Sequence, residues 1–563
     1  MTNANQPTRR KFLGTVGAAG AATIAASAIG LEPLVGGTRT SALANAVGDS
    51  ALQRANECAR IRRDAAQAGL LATSPKLRHQ TNADDEIYPN KIGSYSKGLP
   101  HNPDGTVVVS AYNALVRALS TGSQDDFNAI PLGGVRKFTN PQAGLAFDME
   151  GPDAHSLVQP PAPAFASREE AAEIAENYWM ALLRDVPFVQ FDTNALAHAA
   201  AADLDSYGAD FKGAKDASGH VTTATLFRGL TPGDKAGPYL SQFFYQSCNF
   251  GANKVNQKIT TAQPGIDYMT DFNEWLAIQN GALPLSAQVL DPTARYMRQG
   301  RDIGQWVHID VLFQAYFQAF LVLASAGAPV DDGNPYNGNP TQDGFGTFGG
   351  PHIAALLCEV ATRALKAVWY QKWLVHRRLR PEVFAARVDR AAFHGADYPV
   401  HPQIKNSVQP GGAIGTYLFP KTGNGLLPMA FPEGSPTHPA YGAGHATVAG
   451  ACVTILKAWF KETTKLVNIN LAPVVPSDDG LSLAPYGGAD AGQLTVGGEL
   501  NKIASNVALG RNTAGVHWRS DGTESLKLGE QLAISIMREQ RATYNEAFNG
   551  FSLTKFDGTT ITV

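Results

Sequence analysis

Four long segments of this chain repeat apolar residues at the spacing of one helix face, while strand-like alternation is scarce and short, so the fold class is constrained to mainly α. The first segment, SREEAAEIAENYWMALLRDVPF, opens with Ser167 and carries Glu170 three residues later. That is the pattern of a capping box, ahead of an apolar stripe of Ala172, Ile174, Ala175, Tyr178 and Leu182. The second follows the punctuation FGTFGGP, with Pro351 at its start, and runs through HIAALLCEVATRALKAVWYQKWLVHRR. A third begins near His445 with Val448, Cys452, Leu456 and Trp459 on one face, and a fourth follows DGTES through LKLGEQLAISIMREQRATY.

Between these helices lie long irregular stretches, consistent with 56 glycines and 34 prolines, and loops of that length in a helical protein are functional or packed over helix ends. No internal repeat suggests a solenoid. The 563 residues suffice for one large core or two moderate ones, and the net charge of −3 lacks the concentrated basic excess of a nucleic-acid binder. At the N-terminus, Arg9 and Arg10 precede a weakly apolar stretch of small residues, and SALANA places Ala42 and Ala44 for an A-x-A cleavage. Residues 1–44 are therefore read as a twin-arginine export signal. No apolar run beyond it has spanning length, so the mature protein is expected to be free of membrane segments and periplasmic or extracellular. Cys58, Cys248, Cys358 and Cys452 are far apart and form no CxxC, which favours buried free thiols, although an exported protein could pair two of them.

The chemistry-bearing residues concentrate in the last third. In KWLVHRRLRPE, Lys372 and Arg380 stand eight apart and Pro381 is expected to end the helix just after Arg380; alone, this reads equally as a solvated basic helix end. HPAYGAGHAT sets His438 and His445 seven apart around Gly442, Ala443 and Gly444. GRNTAGVHWRSDG carries Arg511, His517 and Asp521, and a histidine there, taken singly, is most simply a satisfied core residue.

Taken in order, these three segments resemble the vanadium-dependent haloperoxidase and phosphatidic-acid-phosphatase superfamily, and more narrowly the bromoperoxidase branch of red algae and bacteria, over residues 340–530. The physical sense of the set is that Lys372, Arg380 and Arg511 would repel one another without an anion, and a tetrahedral oxyanion resolves that repulsion. Gly444 offers a backbone amide at the start of a helix. The resemblance implies vanadate as cofactor, with His517 as its one protein ligand and Asp521 either orienting His517 or pairing with an arginine. It implies that His445 accepts a proton from hydrogen peroxide, that Lys372 polarises the peroxide, and that a halide, bromide first, attacks it and goes on to halogenate an electron-rich organic acceptor. His438 becomes a neighbour that tunes His445 or the halide position, with a loop-capping histidine as the plainer reading.

The fold implied is two helical-bundle-like lobes: an N-terminal helical region over 45–340, a catalytic bundle over 341–545 with the oxyanion site at helix ends, and a tail over 546–563. Homo-oligomers are common in the branch. An acid phosphatase using His517 as nucleophile, and an oxyanion-binding protein without turnover, are the alternatives. The second draws on Ala443, which stands where the family usually has an anion-binding serine, after Gly442 where proline is common. Asp331, Asp332 and Asp343 form an acidic loop considered for calcium, without EF-hand spacing.

Overall fold

The third apolar segment becomes an almost wholly enclosed helix. In the computed structural model, which describes residues 51–72 and 78–563, Gly444–Trp459 is buried at every position except His445. Seven helices that build or brace the site are labelled in chain order: α1 (Arg168–Leu182), α2 (Gly300–Ile309), α3 (Gly350–Tyr370), α4 (Pro381–Phe393), α5 (Gly444–Trp459), α6 (Val496–Thr513) and α7 (Arg519–Arg541). α5 lies among α3, α6 and α7. Its approach to α7 depends on two glycines: a Cβ at Gly450 would stand 2.1 Å from the Leu526 carbonyl oxygen, and one at Gly529 2.0 Å from that of Thr447. The strands are short and pair into four two-stranded antiparallel sheets among the described residues.

Within residues 56–563, one large apolar core surrounds α5 and a second joins α1 to α4 around Trp179, Phe384 and Trp518. The second core draws on both sides of residue 340, because α4 packs back against α1. The C-terminal stretch expected as a tail folds as a hairpin, Ser552–Thr554 with Thr560–Thr562, which buries Leu553 and Val563 in the first core.

Several helix boundaries differ from the sequence reading. α3 stops at Tyr370 and is followed by a π-helical turn over Gln371–His376, after which Arg377 takes a left-handed conformation with φ 43°. Pro381 does not end that helix; it occupies the first turn of α4 with Arg380 as the N-cap residue, a position where a missing N–H costs nothing. α7 begins at Arg519, so DGTES lies inside it. At α1 the Ser167 hydroxyl accepts from the Glu170 amide at 3.0 Å, but the Glu170 carboxylate does not complete a capping box, since it pairs with Arg378.

All four cysteines are free, Cys58 exposed and Cys248 and Cys452 buried. The acidic loop is taken apart by other partners: Asp331 accepts from the Gly333 amide at 2.9 Å, and Asp332 pairs with Lys461 at 2.8 Å. Among the described residues no cluster of three carboxylate, histidine or cysteine side chains could hold a metal ion, so the calcium reading has no ligand set here. The twin-arginine segment lies outside the described residues. No single described helix is long and apolar enough to cross a membrane.

Candidate active site

Each predicted site residue sits where one element ends and another begins. Lys372 projects from the π turn after α3, and Arg380 from the N-cap of α4. Arg511 lies in the last turn of α6; Gly515, at φ 84°, reverses the chain so that His517 precedes α7. His445 is in the first turn of α5 and His438 in the loop before it.

The three cations are fully enclosed, with Lys372 and Arg380 at 0% exposure and Arg511 at 4%. The expectation of a solvated basic helix end is therefore corrected: the π turn and the N-cap carry both side chains inward. Lys372 Nζ donates to the carbonyls of Pro439 and Ala440 at 2.9 and 3.1 Å. Arg380 donates to the carbonyls of His438 and Val516, to His438 Nδ1 at 2.9 Å and to His517 Nε2 at 3.0 Å. Arg511 donates to the Val307 carbonyl at 2.7 Å, while its Nε has no partner. None of the three forms an ion pair with a carboxylate among the described residues. Burial then lowers Arg380 and Arg511 to about 10, the latter also through Arg380, and burial with Arg380 holds Lys372 well below its ordinary range. Buried cations held only by carbonyls and imidazoles are stabilised by an anion among them.

The histidines are set by their partners. His517 Nδ1–H donates to Asp521 Oδ2 at 2.8 Å, which leaves Nε2 as the lone-pair nitrogen facing Arg380. Burial, followed by the three cations, keeps His517 neutral, well below its usual range. Asp521 takes both of the roles left open by the sequence, since its Oδ1 accepts from Arg378 at 2.8 Å. His438 is enclosed beside Trp369, with ring centroids 4.8 Å apart, and its Nδ1 lies 2.9 Å from Arg380 Nη2 and 3.1 Å from the Pro439 carbonyl oxygen of its own loop. His445 donates from Nε2 to Asp310 Oδ1 at 2.9 Å, so Nδ1 is its basic nitrogen; burial holds its pKa below the usual value although Asp310 pulls it up.

Two glycine arguments change. A Cβ at Gly444 would meet Trp369 at 3.0 Å, so this glycine serves packing against the indole, while its amide remains a helix-terminal donor. A Cβ at Gly442 would lie 2.3 Å from Ser525 Oγ and 2.5 Å from Gln159 Oε1, so any side chain here would have to displace Ser525 or Gln159. Ser525 Oγ in turn accepts from the Ala443 amide at 2.8 Å and from Gln159 Nε2 at 3.0 Å. Asp310, Arg378 and Ser525 were missed by sequence reasoning: Arg378 lies within KWLVHRRLRPE but nothing local sets it apart from Arg377, and Asp310 and Ser525 belong to none of the three segments.

The family model for the VCPO second helical-bundle domain matches residues 356–546, the span that carries every predicted site residue. The vanadium-dependent bromoperoxidase of Corallina pilulifera is 38% identical over 576 residues, covering 87% of this chain and 94% of the relative. This chain belongs to the vanadium-dependent bromoperoxidase family. The bromoperoxidase of Ascophyllum nodosum is 34% identical over 486 residues, covering 80% of this chain and 83% of that relative. Among solved structures, the homohexameric second vanadate-dependent bromoperoxidase of Ascophyllum nodosum superposes with a TM-score of 0.85 at 31% identity, covering 95% and 94% of the two chains.

Proposed function

We propose that this protein is a vanadate-dependent haloperoxidase that oxidises bromide with hydrogen peroxide and passes the oxidised halogen to an electron-rich organic acceptor. The observation that carries the reading is the cage itself: three buried cations without carboxylate partners, one with an orphaned Nε, around an imidazole whose lone-pair nitrogen points among them. That donor set fits vanadate, with His517 Nε2 as ligand, Lys372, Arg380 and Arg511 as counter-charges and the Gly444 amide as a further donor.

Bound vanadate supplies a Lewis acid that activates peroxide towards halide attack. The chain's own residues do the rest. Asp310 holds the His445 Nε2–H, so that Nδ1 is free to take a proton from hydrogen peroxide. Lys372, fixed by the Pro439 and Ala440 carbonyls, would supply the positive charge that polarises the peroxide. His438 holds Arg380 in place, and Trp369 closes the site beside it. Export through the twin-arginine route, and assembly as a homo-oligomer as in the hexameric relative, belong to the same proposal.

Bromination of an organic acceptor by metal-free protein, assayed with and without orthovanadate, tests the reading. Activity should appear only with peroxide, bromide and vanadate together and fall with excess phosphate. Equal activity without vanadate, or phosphomonoester hydrolysis in place of bromination, overturns it.

A further inference from the structure

Behind His517 lies a second set of charges, fully enclosed and opposite in sign to the cage. α1 buries Glu170, Glu173 and Glu176, the last two bonded to Ser520 and Arg519 at the start of α7. Arg378 donates through Nη2 to Glu170 and to Glu173, the latter at 2.8 Å, and through Nη1 to Asp521 Oδ1 and Ser520 Oγ, both at 2.8 Å. Its guanidinium also stacks over Trp518, 4.6 Å from the ring centroid. Glu173 anchors the start of α7 as well, accepting from the Ser520 amide at 2.7 Å and from its hydroxyl at 2.9 Å. Asp521 is thereby gripped on both oxygens: Oδ1 by Arg378, Oδ2 by His517 Nδ1 and the Trp518 amide.

The geometry points to Arg378 and Glu173 as positioning residues for His517. A carboxylate bonded only to the imidazole could rotate about its own side-chain torsions, and the imidazole would turn with it. Here Arg378 fixes Asp521 to α1, Glu173 fixes Arg378 and the α7 N-terminus to the same helix, and Nε2 is left with one direction, into the cage. Glu170, Glu173, Arg378, His517 and Asp521 are 0–4% exposed, so water offers no substitute for a lost partner among them. This inference rests on the haloperoxidase reading, because it concerns how His517 is presented to vanadate.

Vanadate and phosphate separate the two questions. Both oxyanions meet the cationic cage, but only vanadate bonds to His517. In metal-free protein, Arg378→Gln should weaken orthovanadate binding by about tenfold to a hundredfold, the range typical of lost partners behind a metal ligand, while phosphate affinity stays within about threefold. Glu173→Gln should give a smaller loss of the same selectivity, and Arg378→Lys should recover part of it. In 15N-histidine spectra of the metal-free Arg378→Gln protein, the His517 Nδ1–H signal should broaden or shift; in His445→Ala it should not. Should Arg378→Gln fail to fold, Glu173→Gln carries the same comparison. Equal losses for both oxyanions, or unchanged vanadate affinity in a folded variant, overturn the positioning role. If wild-type vanadate binding itself does not depend on His517, the haloperoxidase reading fails first, and the inference with it.

Discussion

Placing a serine at Ala443 tests how much the oxyanion site gains from a hydroxyl at the start of α5. Ala443 is the N-cap residue of α5, with φ −85° and ψ 122°, and its side chain makes no cap bond. A serine hydroxyl there has two uses that are compatible: its oxygen accepts from an amide in the first turn, and its proton points to an oxyanion oxygen. The cap contributes about 1 kcal/mol to the protein without vanadate, the usual difference between serine and alanine at such a position. The bond to a charged oxyanion contributes roughly 1.5–3 kcal/mol more when vanadate is bound. At about 1.4 kcal/mol per decade, the lower figure corresponds to roughly tenfold tighter binding. Overpacking, about 1–3 kcal/mol if the enclosed site, 2% exposed, cannot admit the hydroxyl, would act on the protein with and without vanadate alike and so offset the cap rather than the affinity; the lower figure, about tenfold, is the expected gain. Ala443→Ser should raise the thermal midpoint of metal-free protein, tighten vanadate about tenfold by direct titration, and change the bromination rate less. An unchanged or weaker affinity in a folded variant would refute the reasoning: it would mean that the loop fixed by Gly442 against Ser525 and Gln159 aims position 443 away from the cage.

His517→Ala removes the proposed ligand and leaves the cations, so vanadate retention and turnover should both collapse; His445→Ala should keep most of the bound vanadate and slow turnover by about a hundredfold or more. Indistinguishable mutants in dialysis and rate measurements would end that division of roles. The pH dependence has a definite sign. His445 acts as a neutral base with its pKa held below the usual value by burial, so kcat/KM for peroxide is lost as pH falls through that lowered pKa. Asp310→Asn removes the group that raises it, so the acid limb should move to still lower pH while the rate falls; a limb that moves upward contradicts the assignment. Gly450→Ala places a methyl on the Leu526 carbonyl, and despite the better helix propensity of alanine should cost about 1–3 kcal/mol, read as a lower midpoint in urea; full stability would mean that α5 and α7 separate without penalty.

The cage was legible in the sequence because its parts fall in three local segments that resemble a known family when taken in order, although none of them points to an anion when taken singly. The supports were not, because they come from far along the chain: Asp310 stands 135 residues from His445, and Glu173 347 from Ser520. HRRLRP offers three arginines with nothing local to sort them. Folding sends Arg377 to Asp85 at 2.9 Å, Arg378 to the carboxylates of α1 and Arg380 to the cage, and the π turn before them sets that allocation. Pro381 was misread for a related reason: proline at a helix boundary suits the first turn of the next helix as well as the end of the last, and only the burial of Arg380 decides between them. Helical periodicity located α1, α3, α5 and α7 but missed α6, which carries Arg511, and the helix Ala51–Ala72; nor could it show the glycine contacts that let α5 and α7 approach, since those are properties of two backbones at once.

The most direct test of the central claim is anomalous diffraction at the vanadium edge from crystals of metal-free protein soaked in orthovanadate. The account predicts one strong peak per chain, bonded to His517 Nε2 and ringed by Lys372, Arg380 and Arg511, with the Arg380 contact to that nitrogen given over to an oxyanion oxygen. A peak away from His517, or none at saturating vanadate, would contradict it.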